Sequence, residues 1–235
     1  DGAAQHAEEV ATLRRGLDLG LTLIDTAEMY GEGNAERLDG EALEGMAGTS
    51  RDDLFIVSKV LPWNAGRARM EASCRASLAR MGIDHMDLYL HHWREGDDIP
   101  LEETVSCLEE LREEGLIREW GVSNYDVADM EELFSIPGGE RCQVNQVLYH
   151  AGSRGIEFDL LPWMREHGVT LVSYCPLAQA ACSRTLACSG WRANMEQPSS
   201  RCCLHGTSAM GTRLRFLVRG TSPIRSKTRL RRESG

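Results

Sequence analysis

Segments of helical periodicity alternate with short apolar runs between residues 6 and 177. In the first segment Val10, Leu13 and Leu17 recur at three- and four-residue spacing among charged positions, which predicts an amphipathic helix. Glycines follow several of these segments, as expected where helices end. Helices are predicted at His6–Leu19, Ala35–Gly45, Arg67–Arg80, Leu101–Glu114, Val127–Phe134 and Phe158–His167. Strands are predicted at Leu21–Asp25, Leu54–Val60, Met86–His91, Glu119–Val122, Gln143–Leu148 and Val169–Tyr174.

Regular alternation of helices and strands, at about 30 residues per pair, predicts an α/β fold with a parallel sheet. An open nucleotide-binding sheet should carry a G-x-G-x-x-G turn after its first strand, and Gly31 with Gly33 only partly matches that pattern. A closed β/α barrel instead collects polar residues at the carboxyl ends of its strands. Such residues lie at or near the carboxyl end of every predicted strand, and they are Asp25, Lys59, His92, Ser123, Asn124, Gln146 and Tyr174. The pattern therefore favours a barrel with one site at its mouth.

The first three strand ends carry a group suited to proton chemistry. Lys59 ends an apolar strand, so its ammonium must be desolvated or paired, and Asp25 is the natural counter-charge. A cation beside the Tyr30 phenol favours the phenolate, which makes Tyr30 a usable general acid, and His92 could bind the substrate oxygen or relay protons. The alternative is that Asp25 and Lys59 form a structural ion pair and that His92 is an ordinary loop histidine.

Six motifs together resemble the aldo-keto reductases in order and spacing. They are LIDTAEMYGEG (23–33), VSKV (57–60), DLYLHHW (87–93), GVSN (121–124), VNQV (144–147) and VSYCPL (172–177). The resemblance is greatest to the bacterial methylglyoxal reductase-like branch, and it covers residues 6–178. It implies a (β/α)8 TIM barrel that reduces aldehydes and ketones with NADP(H), or sometimes with NADH. It also implies that Asp25, Tyr30, Lys59 and His92 are the catalytic tetrad.

The same resemblance assigns a nicotinamide site and a substrate pocket. Ser123, Asn124 and Gln146 would hydrogen-bond the carboxamide, and Tyr174 would stack on the ring, as suits amide, hydroxyl and aromatic groups. Trp63 and Trp93 would wall the pocket for a small carbonyl substrate. Two alternatives remain open. Ser123 and Asn124 could cap the helix that begins near Val127, and the tryptophans could be ordinary partly buried packing residues.

Charge divides the chain near residue 180. Residues 1–179 carry 15 Lys and Arg against 34 Asp and Glu, a net charge of −19, whereas residues 180–235 carry 11 against 2, a net charge of +9. The total of −10 argues against a nucleic-acid partner, and no run approaches the roughly 18 apolar residues of a membrane span. With no secretory signal apparent, we expect a cytoplasmic monomer that binds neither membrane nor metal.

The segment after residue 178 departs from the family pattern. We expect a partial barrel over residues 1–178, lacking its first strand and its C-terminal strand and helices, followed by an aberrant basic tail over residues 179–235. A shifted reading frame in a GC-rich gene would explain the Arg, Ser and Cys enrichment. A zinc site built from Cys182, Cys188, Cys202, Cys203 and His205 is disfavoured because no C-x2-C pair is present.

Three functional hypotheses follow from the sequence. The first is an NADP-dependent aldo-keto reductase. The second is a non-catalytic relative that keeps the barrel as an interaction subunit, and the third is an inactive product of a damaged gene. The retained tetrad favours the enzyme, because an interaction surface has no need of Lys59 at a strand end.

Overall fold

The computed structural model describes residues 2–44, 50–94 and 99–176. Within these residues helices and strands alternate along the whole chain, and short 3-10 turns join several of them. The helices are α1 (Gly2–Asp18), α2 (Asn34–Leu43), α3 (Met70–Met81), α4 (Leu101–Glu113), α5 (Val127–Ser135) and α6 (Leu160–His167). The strands are β1 (Leu23–Asp25), β2 (Phe55–Val60), β3 (Met86–His91), β4 (Ile117–Ser123), β5 (Val144–Leu148) and β6 (Thr170–Tyr174). All twelve predicted elements are present.

The six strands lie in one sheet in chain order. The pairing is parallel from β1 to β3, with Ile24 opposite Ile56 and Lys59 opposite Leu90, and again from β4 to β6, with Gln146 opposite Val172. Parallel neighbours in chain order need a crossover after each strand, and the helices provide these crossovers. The predicted α/β class and parallel sheet are confirmed.

The described residues form two compact units. The first unit comprises residues 2–44, 50–91 and 99–119, and it contains β1 to β3, α1 to α4 and the start of β4. The second unit comprises residues 92–94 and 120–176, and it contains the rest of β4 with β5, β6, α5 and α6.

Five of the six predicted strands differ from the observed ones at their first residue, two of them by two residues. Strand β1 begins at Leu23 rather than Leu21, because the Leu21 N–H bonds the Gly16 carbonyl at 3.0 Å and so belongs to the end of α1. Strand β4 begins at Ile117 rather than Glu119. Ile117 is buried, and Arg118 beside it reaches the Asp87 carboxylate at 3.1 Å, so a charged residue is held on the strand by an ion pair.

Strands β2 and β3 form the core of the first unit. Every residue of β3 and all but the first residue of β2 are buried, as expected for a parallel sheet covered on both faces. Helix α2 approaches α3 closely at Gly40, where an added Cβ would lie 2.7 Å from the Arg80 carbonyl oxygen. A larger residue at position 40 would therefore push the two helices apart.

A buried carboxylate fastens helix α2 to its neighbours. Glu36 is fully buried, and it accepts hydrogen bonds from the Ser58 hydroxyl of β2 at 2.6 Å and from Arg80 Nε of α3 at 2.5 Å. The pair is satisfied on both sides, which is the condition under which a buried ion pair is tolerated. Glu36 thus fixes α2 against the strand residue that directly precedes Lys59.

Among the residues that the structure describes, no helix combines the length and the apolar character needed to cross a bilayer. The tail predicted from residue 179, with its cysteines and His205, lies outside the described residues, and so does the predicted boundary at residue 178.

Replacing Glu36 by Ala should destabilise the protein by about 3 kcal/mol, because it leaves the Arg80 guanidinium and the Ser58 hydroxyl without their partner. Urea unfolding measures this free energy. The matched control is Glu71→Ala, which breaks an exposed pair with Arg75 (2.7 Å) and should cost less than about 1 kcal/mol. A loss for Glu36→Ala no larger than that of the control would contradict this account of α2.

Candidate active site

The first unit contains a buried lysine held at the end of β1. Lys59 is 1% exposed, and its ammonium donates to the Asp25 carboxylate and, at 2.7 Å, to the Thr26 carbonyl oxygen. Asp25 is the last residue of β1, whereas Lys59 is the penultimate residue of β2. We call Asp25, Lys59 and Tyr30 the lysine cluster. The predicted pairing of Asp25 with Lys59 is thus present in the structure.

Tyr30 lies in the turn after β1 and covers this ammonium. Lys59 Nζ is 5.0 Å from the centroid of the Tyr30 ring, the distance of a cation–π contact. Tyr30 is 40% exposed, in contrast to the lysine behind it. The cluster therefore combines a partly exposed tyrosine with a fixed cation against its ring, an arrangement suited to proton transfer.

The substrate-pocket residue predicted in this unit, Trp63, lies on a 3-10 turn formed by Pro62–Asn64. Its side chain is 45% exposed, and Arg69 Nη1 donates to its carbonyl oxygen at 3.3 Å. Glu28 also contacts this turn, through Asn64 at 3.1 Å. The sequence analysis missed Glu28, because its hydrogen-bond donors are a backbone N–H and a neighbouring amide that leave no spacing pattern to detect.

The second unit brings four of the predicted cofactor residues together. The Ser123 hydroxyl and the Asn124 N–H both donate to the Gln146 carbonyl oxygen, at 2.8 and 2.9 Å. The Tyr174 hydroxyl donates to Asn124 Oδ1 at 2.9 Å. We call Ser123, Asn124, Gln146 and Tyr174 the amide cluster. All of its side chains are neutral, and they offer amide, hydroxyl and aromatic groups.

The amide cluster is also tied to the chain beside His92. Asn124 Nδ2 donates to the His92 carbonyl oxygen at 3.1 Å. His92 follows directly after β3, is 8% exposed, and its ring meets that of Trp93 edge-on with centroids 4.6 Å apart. Trp93 is partly buried. The predicted position of His92 beyond the strand is therefore correct.

One expectation about this cluster needs correction, and one of the alternatives left open is excluded. Gln146 is the third residue of β5 and is 3% exposed, so it does not end the strand, which continues to Leu148. Ser123 and Asn124 do not cap α5. The N-cap is Asp126, which accepts from the Asp129 N–H at 2.9 Å while Asp129 accepts from the Asp126 N–H at 3.1 Å. This reciprocal capping box satisfies the helix end without them.

A further carboxyl lies close to the lysine cluster. Asp39 of α2 is 7% exposed, and burial, with the negative charges of Glu36 and Asp25, raises the pKa of its carboxyl to about 6. Three carboxyls thus share this region with the Lys59 and Arg80 cations, and Asp39 is the one for which burial favours the neutral acid.

The raised pKa of Asp39 determines how its contribution to the stability of the fold changes with pH. The ordinary pKa of 3.8 applies to Asp39 in the unfolded chain, so between about pH 4 and pH 6 the folded state holds a proton that the unfolded state has lost. The contribution of Asp39 to stability falls as the pH rises through this window. Asp39→Asn removes the titration, so the stability of the variant relative to wild type should rise from pH 4 to pH 7, by on the order of 3 kcal/mol. Urea unfolding at the two pH values measures it, and a difference that stays constant would contradict the raised pKa.

Asn124 has a left-handed backbone, with φ of 61°, which an asparagine tolerates better than most residues. Asn124→Gly and Asn124→Ala both remove the side-chain contacts, but only alanine is strained at this φ. The alanine variant should therefore be less stable than the glycine variant by about 1 kcal/mol in urea unfolding. Equal stability, or a more stable alanine variant, would show that the left-handed conformation is not kept in solution.

Comparison with known proteins shows a family match. The model of the Aldo/keto reductase family matches residues 1–202. "Methylglyoxal reductase YeaE" of Escherichia coli is 54% identical over 180 residues, which are 77% of this chain and 61% of that protein. The chain thus spans less than two thirds of the length of this relative.

Two solved structures from Klebsiella pneumoniae are similar to this protein. An aldo/keto reductase in complex with NADP and acetate has a TM-score of 0.80 and 48% identity, over 86% of this chain and 71% of that one. An aldo-keto reductase in complex with NADPH has a TM-score of 0.83 and 44% identity, over 94% and 76%. The six strands of the described residues accordingly have the fold of part of a (β/α)8 barrel. The chain belongs to the aldo/keto reductase family.

Proposed function

We propose that this protein reduces aldehydes and ketones to alcohols with NADPH as the hydride donor. The observation that carries the proposal is the lysine cluster, in which a buried ammonium with two acceptors lies beneath a partly exposed phenol. An ion pair that served folding alone would not need a phenol over the cation. Reduction of a carbonyl needs a proton donor at the developing alkoxide, and Tyr30 meets this need.

Each member of the cluster has a separate role in the proposal. Tyr30 donates its hydroxyl proton to the carbonyl oxygen as the carbon is reduced. Lys59 stabilises the negative charge that Tyr30 acquires, because a fixed cation near a phenolate needs no reorganisation during the reaction. Asp25 holds Lys59 in place. His92 is assigned to hold the substrate oxygen, a role that rests on its family motif, a histidine directly before Trp93.

The amide cluster fits a nicotinamide. Its four side chains are neutral, and amide and hydroxyl groups suit a carboxamide, while the Tyr174 ring suits a planar heterocycle. Ser123, Asn124 and Gln146 would hold the carboxamide and so fix the ring face that is presented. When bound, the cofactor supplies the hydride. NADP and NADPH in the Klebsiella structures support this choice of cofactor.

Small carbonyl compounds are the proposed substrates. The printed name of the Escherichia coli relative is a methylglyoxal reductase, and Trp63 and Trp93 would provide an apolar wall for a substrate of that size. The net charge of −19 over residues 1–179 supports the absence of a nucleic-acid partner. Burial raises the pKa of the Cys74 and Cys142 thiols to about 12, which keeps these two thiols unreactive. The cytoplasmic location and the monomeric state stay predictions from the sequence.

The experiment is a fluorescence titration of the full chain with NADPH, followed by addition of methylglyoxal. Tyr30→Phe should bind NADPH with a Kd within about twofold of wild type but lower kcat by about a hundredfold or more, the usual effect of losing a general acid. Tyr149→Phe removes a phenol that donates to Glu157 at 2.5 Å and is the matched control, with turnover retained.

Each outcome has a distinct meaning. Binding with turnover that depends on Tyr30 supports the proposal. Binding of NADPH without turnover by wild type points to the non-catalytic relative, and neither binding nor turnover points to the inactive product. Near wild-type turnover by Tyr30→Phe would overturn the assignment of the acid.

A further inference from the structure

We infer that Glu28 is a positioning residue that fastens the loop bearing Tyr30 to the turn bearing Trp63. This inference rests on the proposed function, because it assigns the spacing of two groups that the reaction would use. Its physical basis is one carboxylate oxygen. Glu28 Oε1 accepts from the Leu61 N–H at 2.7 Å and from Asn64 Nδ2 at 3.1 Å.

The first of these contacts continues the sheet beyond the end of β1. The Thr26 N–H bonds the Val57 carbonyl at 2.9 Å, but the next rung, from the Glu28 N–H to the Lys59 carbonyl, is stretched to 3.5 Å. In a parallel ladder the following donor, Leu61 N–H, would bond the Glu28 backbone carbonyl. Here the Glu28 side chain takes that hydrogen bond. The ladder therefore continues through a side chain where its last backbone rung is long.

Because the Glu28 side chain accepts this hydrogen bond in place of the Glu28 carbonyl, the backbone can turn toward the lysine cluster. The Tyr30 N–H bonds the Ala27 carbonyl at 3.0 Å, so the chain forms a turn at the residue where a strand would have gone on. Without the Glu28 carboxylate, Glu28 would keep only the stretched backbone rung to Lys59 as its own hydrogen bond to the exit of β2. The position of the Tyr30 ring over Lys59 therefore also depends on the hydrogen bond between the Glu28 carboxylate and the Leu61 N–H.

The second contact extends the link to the 3-10 turn of Trp63. Asn64 is the last residue of that turn and directly follows Trp63. Trp63 and Tyr30 are 45% and 40% exposed, and both lie on segments that Glu28 joins. Because one oxygen serves both donors, a shift of the loop moves the turn with it. Glu28 thus relates the position of the proton donor to that of the proposed substrate wall.

Three substitutions separate these effects. Glu28→Ala removes both contacts, so kcat should fall by about tenfold to a hundredfold, the effect of misplacing a reacting group by about 1 Å. Glu28→Gln keeps a carbonyl oxygen as acceptor and should restore most of kcat. Asn64→Ala releases only the turn of Trp63, so it should raise KM several-fold with kcat within about twofold of wild type.

Amide hydrogen exchange gives a readout that does not depend on turnover. Mass spectrometry of the segment 55–64 in the full chain should show faster exchange at Leu61 in Glu28→Ala, with protection kept in Glu28→Gln and in Asn64→Ala. Glu71→Ala is the matched control for removal of an exposed carboxylate, and it should change neither kcat nor this exchange.

The outcomes distinguish this inference from the proposed function. The inference is supported if Glu28→Ala loses protection at the Leu61 amide and has a lower kcat, and if Glu28→Gln restores both. Unchanged protection in Glu28→Ala overturns it, and so does lost protection with kcat and KM unchanged. Should Glu28→Ala fail to fold, equal KM values for Asn64→Ala and wild type overturn it. Absence of turnover by wild type overturns the proposed function, and the positioning role falls with it even if the exchange difference is observed.

Discussion

Burial of one ammonium group governs the first unit. Removing a lysine from water costs several kcal/mol unless the charge is paired and its protons are accepted. Lys59 meets both conditions through the Asp25 carboxylate and the Thr26 carbonyl, and both acceptors belong to the end of β1 and the residue after it. The end of the short strand β1 is therefore defined by a charge on β2, and the position of the Tyr30 loop follows from it.

The two clusters differ in their electrostatics. The lysine cluster contains a buried ion pair, and a second buried pair, Glu36 with Arg80, lies behind the same strand. The amide cluster contains no charged side chain, and its members are joined by hydrogen bonds between hydroxyl, amide and carbonyl groups. Charge in a dry environment favours proton chemistry, whereas neutral donors and acceptors favour recognition of an uncharged group. The two clusters thus offer different kinds of chemical group.

Patterns with a strong period were sufficient to predict the fold. The alternation of helices and strands was predicted throughout, and β3 was predicted to the residue, because apolar runs bounded by polar residues mark buried parallel strands. The pairing of Lys59 with Asp25 followed from the cost of burying charge. Contacts without a period were missed. Asp126 caps α5 by local geometry, and Glu28 bonds a backbone N–H.

One of the two acceptors of Lys59 is a main-chain carbonyl, which has a consequence for how this sequence can vary. The carbonyl oxygen of residue 26 is present whatever side chain stands there, so drift at that position leaves half of the lysine's anchorage intact. The other half is encoded by a single side chain, Asp25. Tolerance to mutation around the ammonium is therefore uneven. A substitution at residue 26 keeps the main-chain acceptor, whereas a substitution of Asp25 by a residue without a carboxylate removes the other acceptor.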